Sequence, residues 1–332
     1  MTPVRWGILS TALIATQRVI PSMLKSSTLQ VAAIASRSLS KAQAAASLLG
    51  IPTAYGSYEA LLADPSIEAI YNALPNHLHV PMTLEAVKAG KHVLCEKPIS
   101  VGAAELEALR PYASHVHIRE AFMVRHHPQW AEVRELVRQS SIGKLRFMHV
   151  AFSSFNVDAG NIRNQVALGG GALYDVGCYV IVAGRWFFER EPERVNAIID
   201  RDPLFKTDRT ASGWLDFGDG RQLAFTVSTQ SARYQRIQLF GTKGRIEIEI
   251  PFNPSPDIPC RYTIDDACVL DGSGARLVTL SAADQFLLQA EAFSRAVRTQ
   301  RPDTTALDDA VWNMRIIEAL YASGSSGRVE RP

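Results

Sequence analysis

Up to about residue 122 the chain alternates short apolar, β-branched runs with stretches of helical period. The pattern predicts strands at 4–9, 29–36, 52–55, 69–74, 91–95 and 116–122, with helices at 14–25, 39–49, 58–63, 80–89 and 103–110. Strands alternating with helices predict βαβ units and a parallel, doubly wound sheet. After Pro128 the pattern changes. A helix over 129–139 leads to a strand over 144–155 and a longer apolar helix over 172–188. Strand-like runs follow at 194–200, 212–217, 222–229, 236–240 and 245–250, with few helices between them, which predicts an antiparallel sheet. Asp219-Gly220 is a hairpin signal and Gly241-Thr242-Lys243-Gly244 a second turn. Two helices, over 282–299 and 306–323, close the chain. The expected fold class is α/β plus α+β, with one domain over 1–122 and a second over 123–332. The closing helices within 282–323 are counted with the second domain but free to pack back on the first.

With 332 residues, 47% of them hydrophobic and 20% charged, the chain has the composition of a globular protein with a sizeable core. A net charge of +2 gives no electrostatic footprint for nucleic acid or an anionic membrane. No apolar stretch is read as long enough for a membrane span, and no signal peptide precedes the first strand. Cys95, Cys178, Cys260 and Cys268 are scattered, as free thiols in a reducing cytoplasm would be.

The segment Gly7-Ile8-Leu9-Ser10-Thr11-Ala12, continued by Leu13 and Ile14, joins the first strand to the first helix. Gly7 is expected to permit a tight turn, and the helix N-terminus offers N–H groups to a pyrophosphate. Ser10 and Ala12 stand where a GxGxxG pattern has glycine. The second strand ends in Ala35-Ser36-Arg37-Ser38, without the acidic residue that favours NAD. Ser36, Arg37 and Lys41 instead suit a 2′-phosphate, so NADP(H) is preferred over NAD(H). Leu74, Pro75, Asn76 and His79 follow the fourth strand and would face the pyrophosphate and ribose.

Cys95-Glu96-Lys97-Pro98 puts one cation at the carboxyl end of the fifth strand, where open α/β sheets bind ligands. Pro98 biases Lys97 away from helical geometry and supports a cis peptide. A nicotinamide enzyme whose Lys97 meets the substrate follows from this combination. Gly169-Gly170-Gly171 lets the long helix start close against something, which the cofactor would be. Asp175 and Tyr179, four apart, are expected one above the other on one helix face. No metal site is assigned: the histidine pairs His77/His79, His115/His117 and His126/His127 lack grouped carboxylates or cysteines.

Taken with Glu120-Ala121-Phe122-Met123-Val124-Arg125-His126-His127-Pro128, these motifs resemble, in order and spacing over nearly the whole chain, the glucose–fructose oxidoreductase/inositol dehydrogenase family. Tyr179 is similar to the branch with D-xylose dehydrogenases and dimeric dihydrodiol dehydrogenases. The resemblance implies a Rossmann domain and a second domain on an open, predominantly antiparallel sheet. It implies that Lys97 contacts the reacting oxygen, Tyr179 passes the proton and Asp175 orients substrate or tyrosine. Glu96, Arg125 and Arg163 would border the cofactor, and Arg125 and Asn164 the substrate. The expected activity is NADP(H)-dependent hydride transfer at a CH–OH/C=O group of a sugar or polyol. A trans-dihydrodiol dehydrogenase and a non-catalytic NADP-sensing regulator are the alternatives. A homodimer or homotetramer through the open sheet face is expected, with no nucleic-acid or membrane partner.

Overall fold

The computed structural model describes residues 2–332. They form two compact units, one of residues up to Met123 with Asp284–Val311, the other of Val124–Ala283 with Trp312–Pro332.

The first unit holds a six-stranded parallel sheet of β1 (Val4–Leu9), β2 (Leu29–Ala35), β3 (Thr53–Tyr55), β4 (Ala69–Asn72), β5 (His92–Cys95) and β6 (Ile118–Glu120). Its order is β3-β2-β1-β4-β5-β6, which reverses direction between β1 and β4. Such a reversal opens a crevice outside the carboxyl ends of the strands. The inner strands are mostly apolar and buried, as in a sheet covered on both faces: Ile8, Leu9, Ile34, Ile70, Val93 and Leu94 are all buried. The helix after β1 passes through a π-helical turn, Ala15–Val19, into α1 (Ile20–Met23). Ser38 caps α2 (Leu39–Leu49) and Ser57 caps α3 (Tyr58–Leu62) through their side-chain oxygens. α4 (His79–Lys88) precedes β5. The C-terminal segment is divided: α7 (Gln285–Thr299) packs on β1 and β2, where the Trp6 indole donates to Ser294 Oγ at 3.1 Å and lies 5.2 Å from the Phe293 ring.

The chain enters the second unit within the 3₁₀ turn Met123–His126, which α5 (Pro128–Arg138) follows. Its sheet contains β7 (Leu145–Phe155), β8 (Arg194–Arg201), β9 (Asp208–Asp216), β10 (Gln222–Ser228), β11 (Gln230–Gly241), β12 (Arg245–Ile248), β13 (Cys260–Asp265) and β14 (Ala275–Leu280). The order is β14-β13-β12-β11-β7-β10-β9-β8. Every neighbouring pair is antiparallel except β7 with β10. The Asp219-Gly220 turn joins β9 to β10 with positive φ at both residues, as a tight hairpin requires. α6 (Cys178–Phe188) lies on the inner face, so close at Gly184 that a Cβ there would stand 2.7 Å from the Phe217 ring. One expectation needs correction. Val166–Phe188 is by length and composition apolar enough to cross a membrane, yet 67% of its most apolar 18-residue window is buried in the fold. Its hydropathy is that of a helix packed against a sheet.

Candidate active site

In the first unit the expected residues gather along the carboxyl edge of the sheet. Gly7 is the exception. It lies inside β1, two residues short of the turn, and its missing side chain makes room for Leu61, whose Cδ2 would be 2.6 Å from a Cβ. The residue that turns the chain is Ser10, with φ of +88°, a conformation rarely adopted outside glycine. Its N–H donates to the Ala35 carbonyl at 3.0 Å and its Oγ accepts from Ala12 N–H at 3.1 Å, tying the turn to β2. Thr11 and Ala12 complete the turn, and the chain is helical from Leu13 through Ile14 onward. The first N–H groups of such a helix have no carbonyl within it to meet. Leu13 stands 69% exposed beside them.

At the end of β2, Ser36 is buried and its Oγ accepts from Ser38 N–H at 3.3 Å, while Arg37 and Lys41 are exposed. Past β4, Pro75 and Asn76 are partly exposed and Leu74 is buried, its N–H bonded to the fully buried Asn72 side chain. His79 departs from its expected place. It is 1% exposed, with Nδ1 2.7 Å from the Pro98 carbonyl oxygen and Nε2 2.7 Å from that of Leu74. Both nitrogens are engaged by backbone, so the ring offers a cofactor nothing. Past β5, Glu96 accepts the Tyr71 hydroxyl at 2.5 Å and the Lys97 N–H at 3.3 Å. Glu120 accepts Ile99 N–H at 2.9 Å, and the Lys97–Pro98 peptide is cis. Two carboxylates thus grip the backbone on either side of Pro98, with the half-buried Lys97 between β5 and that grip.

In the second unit Asp175 lies in a π-helical turn, Leu173–Gly177, and Tyr179 in the α-helix that follows. Cys178 N–H bonds the Leu173 carbonyl five residues back, so the α-helical argument for stacking 175 over 179 does not hold here. Asp175 accepts from Arg163 Nε at 2.7 Å. The Tyr179 ring meets Phe152 edge-on at 5.6 Å and Phe252 at 5.5 Å, and those two rings stack at 4.6 Å. Asn164 is 3% exposed and its Nδ2 donates to the Asn156 side chain and the Asp158 carbonyl, which organises the loop before Arg163. Its Oδ1 is buried without a partner. Arg125 sits half-buried in the turn Met123–His126.

The triple glycine does allow a close approach, but to the chain itself. A Cβ at Gly170 would lie 2.5 Å from the Arg163 carbonyl, and one at Gly171, where φ is +130°, 1.9 Å from Asp208 Oδ1. Asp208, 1% exposed, accepts from Leu173 N–H at 2.7 Å and the Tyr321 hydroxyl at 2.8 Å. Tyr321 belongs to α8 (Thr305–Ser326). Burial raises the Asp208 carboxyl above its ordinary range, opposed by those two donors. An acidic group at a helix N-terminus is favourable, and here it fixes the turn that carries Asp175. No sequence signal marked Asp208, Tyr321 or Phe252.

A reversing parallel sheet whose carboxyl edge carries a helix N-terminus, two exposed cations and an anchored lysine defines a dinucleotide-dependent oxidoreductase. Residues 4–142 match the model of the oxidoreductase family with NAD-binding Rossmann fold, and residues 130–247 that of the GFO/IDH/MocA C-terminal domain. The chain is 45% identical over 332 residues to an uncharacterized oxidoreductase, ORF334, of Rhizobium meliloti, covering 99% of each. It is 38% identical over 329 residues to D-xylose 1-dehydrogenase (NADP(+)) 2 of Haloferax volcanii, covering 97% of this chain and 98% of that one. Among solved structures it resembles KijD10, a 3-ketoreductase from Actinomadura kijaniata in complex with NADP and TDP-benzene. That match has a TM-score of 0.89 at 28% identity, over 97% of this chain and 98% of the other. The protein belongs to the GFO/IDH/MocA oxidoreductase family and is a dehydrogenase or reductase of CH–OH/C=O groups.

The residues present fit a dinucleotide. The positive-φ turn at Ser10 leads directly into a helix N-terminus, whose first N–H groups suit a phosphate, Leu13 offers an exposed apolar surface, and the exposed Arg37 and Lys41 follow β2.

Proposed function

We propose that this enzyme is an NADP(H)-dependent oxidoreductase of a sugar or related polyol. One observation carries the reading: Ser10–Ile14, Ser36–Lys41, Leu74–Asn76 and Glu96–Lys97 all follow the carboxyl ends of strands in one sheet, on both sides of its reversal. Residues 10–14 would hold the pyrophosphate, and Ser36, Arg37 and Lys41 the 2′-phosphate. The absence of an acidic side chain from residues 35 to 41 supports NADP over NAD. Leu74–Asn76, Glu96, Arg125 and Arg163 would border the rest of the cofactor. The names of the Haloferax dehydrogenase and the Actinomadura ketoreductase support a sugar substrate.

Bound nicotinamide supplies the hydride acceptor or donor; binding, orientation and proton handling fall to the chain. Lys97 is the cation that meets negative charge developing on the reacting oxygen, a charge the resting alcohol lacks. Tyr179 is the proton-transfer group. Its wall of Phe152 and Phe252 holds the ring while the hydroxyl exchanges its proton. Asp175, paired with Arg163, orients the substrate, to which Asn164 and Arg125 also contribute. The four cysteines, none disulfide-bonded among the described residues, support a reducing compartment, the cytoplasm.

Fluorescence titration with NADPH and NADH, followed by a nicotinamide absorbance screen over aldoses, keto-sugars and polyols, tests this reading. NADPH is expected to bind at least tenfold more tightly, as one charge-assisted hydrogen bond of roughly 1.5–3 kcal/mol implies, with turnover on one sugar class. Equal affinities would remove the 2′-phosphate assignment, and turnover confined to compounds other than sugars or polyols would remove the substrate class.

The outward face of the second sheet supports association with a second copy of the chain. It carries Phe147 stacked on Phe240 at 4.4 Å, Ile198 at 77% exposure and Tyr234 at 52%. Apolar groups spread over one flat face are better covered than left in water, and a face meeting its own copy across a two-fold axis closes the assembly. Light scattering is expected to give two or four times 36.5 kDa; a monomer at micromolar concentration overturns this.

A further inference from the structure

Among the buried polar groups, His79 is placed where the chemistry proposed above leaves it unused. It opens α4, beyond β4, yet its ring reaches two loops at the carboxyl edge of the sheet. One contact is to Leu74, five residues earlier, and the other to Pro98, nineteen later. Pro98 is the residue next to Lys97. We infer that His79 is a positioning residue for Lys97, a buried staple that fixes the Lys97–Pro98 turn against the Leu74–Asn76 loop. This inference rests on the reading of Lys97 as the group that meets the reacting oxygen.

The staple is itself held from below. Asn72, 0% exposed, donates from Nδ2 to the His79 carbonyl at 3.1 Å and to Thr83 Oγ1 at 3.2 Å, and accepts from Leu74 N–H at 3.3 Å. The end of β4, the start of α4 and the Leu74 loop are thereby one hydrogen-bonded unit, and the imidazole extends it to the strand next door. A neutral imidazole has one N–H, so it donates to one carbonyl while its bare nitrogen abuts the other. Two acceptors at 2.7 Å favour a second proton on the ring. Burial, the largest influence, opposes it and takes the pKa down to about 4; Lys97 and His77 push the same way. Burial decides, because the ring has no contact with water in which to spread a charge. At neutral pH the ring therefore donates to one of the two carbonyls and packs against the other. A side chain without a ring donor loses the bond, and one of another shape loses the packing.

Lys97 also has backbone support from Glu96 and, two residues on, from Glu120 at Ile99. Those carboxylates grip N–H groups, whereas His79 Nδ1 stands 2.7 Å from the carbonyl between them and donates to it in the tautomer protonated at Nδ1. The turn is held from both sides only with the histidine present.

A double-mutant cycle separates positioning from general packing. His79→Leu is expected to lower kcat about thirtyfold, the order produced when a reacting group is displaced by less than an ångström, with the NADPH dissociation constant within threefold. His79→Gln, which keeps a donor at similar reach, is expected to recover at least a third of the lost factor. In the Lys97→Ala background the same His79→Leu change should lower kcat less than threefold, since no ammonium remains to be aimed. An equal loss in both backgrounds overturns the inference, as does an unchanged kcat in His79→Leu alone. If His79→Leu does not fold, the cycle is run with His79→Gln, where a threefold loss confined to the Lys97 background is expected and an equal loss in both is again fatal. If Lys97→Ala itself turns over normally, the reading of Lys97 fails, and that result is distinct from additivity in the cycle.

Discussion

Lys97→Ala is expected to lower kcat at least a hundredfold while NADPH binding changes less than threefold. The charge that Lys97 meets is absent from both alcohol and carbonyl ground states and appears on oxygen as hydride moves. An interaction made only in the transition state lowers kcat when removed, with little effect on substrate binding. Loss of one preorganised donor to a developing oxyanion costs roughly 2.7–4 kcal/mol, a factor of a hundred to a thousand. The structure favours the upper part of that range. Lys97 follows a buried strand, its own N–H is held by Glu96, and the His79 ring is buried 2.7 Å from the Pro98 carbonyl. A lysine anchored on both sides requires little reorganisation at the moment of reaction. Steady-state kinetics on the sugar found by the screen, with dissociation constants from nicotinamide fluorescence, provide the check. A kcat within threefold of the parent removes Lys97 from the chemistry, and a parallel collapse of NADPH affinity reassigns it to cofactor binding.

The sequence made the first sheet legible because its inner strands β1, β2, β4 and β5 are short, mostly buried apolar runs between helical stretches, and each strand was read within a few residues of its bounds. The second sheet was legible to β12 and no further. In β13, Cys260-Arg261-Tyr262 does alternate inward and outward, but the strand ends on Asp265, which is buried against Arg245 at 2.8 Å and breaks the apolar pattern. β14 is an exposed edge strand with no buried residue, so it carried no burial pattern to read.

The site divides in the same way. Lys97, Arg37 and the Ser10 turn were legible because their places follow from the ends of strands. Gly7 was misread because a glycine at the first strand suggests a turn, whereas this one makes room for Leu61, and Ser10 takes the unusual φ instead. The roles of His79 and Asp208 were not legible. Each depends on partners brought in by the fold, such as the Pro98 carbonyl, nineteen residues from His79, and the Tyr321 hydroxyl, 113 from Asp208. Periodicity registers whether a position is buried, and says nothing of the long-range hydrogen bond that makes a buried polar side chain tolerable.

Acidification from pH 7 to pH 5 is expected to destabilise the first unit by several kcal/mol, before ordinary carboxylates begin to protonate. His79, His92 and His127 each have a pKa lowered from 6.5 to about 4, in every case first by burial. For His92 the neighbouring His117, with its ring 5.3 Å away, adds to the shift. An unfolded chain takes up protons at these histidines near pH 6.5, whereas the folded chain resists until about pH 4. Stability is therefore complete above about pH 7 and is lost as pH falls through that interval. The loss is about 1.4 kcal/mol per histidine for each pH unit below 6.5, so about 2 kcal/mol each at pH 5. Two of the three, His79 and His92, lie in the first unit, where His117 is also lowered by burial. The second unit has His127 and, in opposition, Asp208. Burial raises that carboxyl, so the folded state binds its proton more readily than the unfolded one and gains stability as pH falls. With total stabilities of roughly 5–15 kcal/mol, about 4 kcal/mol is enough for the first unit to melt first. Calorimetry between pH 8 and 4.5, with hydrogen exchange to separate the units, should show an earlier transition in residues 2–123 and 284–311 as pH drops. A melting temperature flat from pH 8 to pH 5 would mean that these histidines protonate in the folded protein, with His79 then donating to both the Leu74 and Pro98 carbonyls.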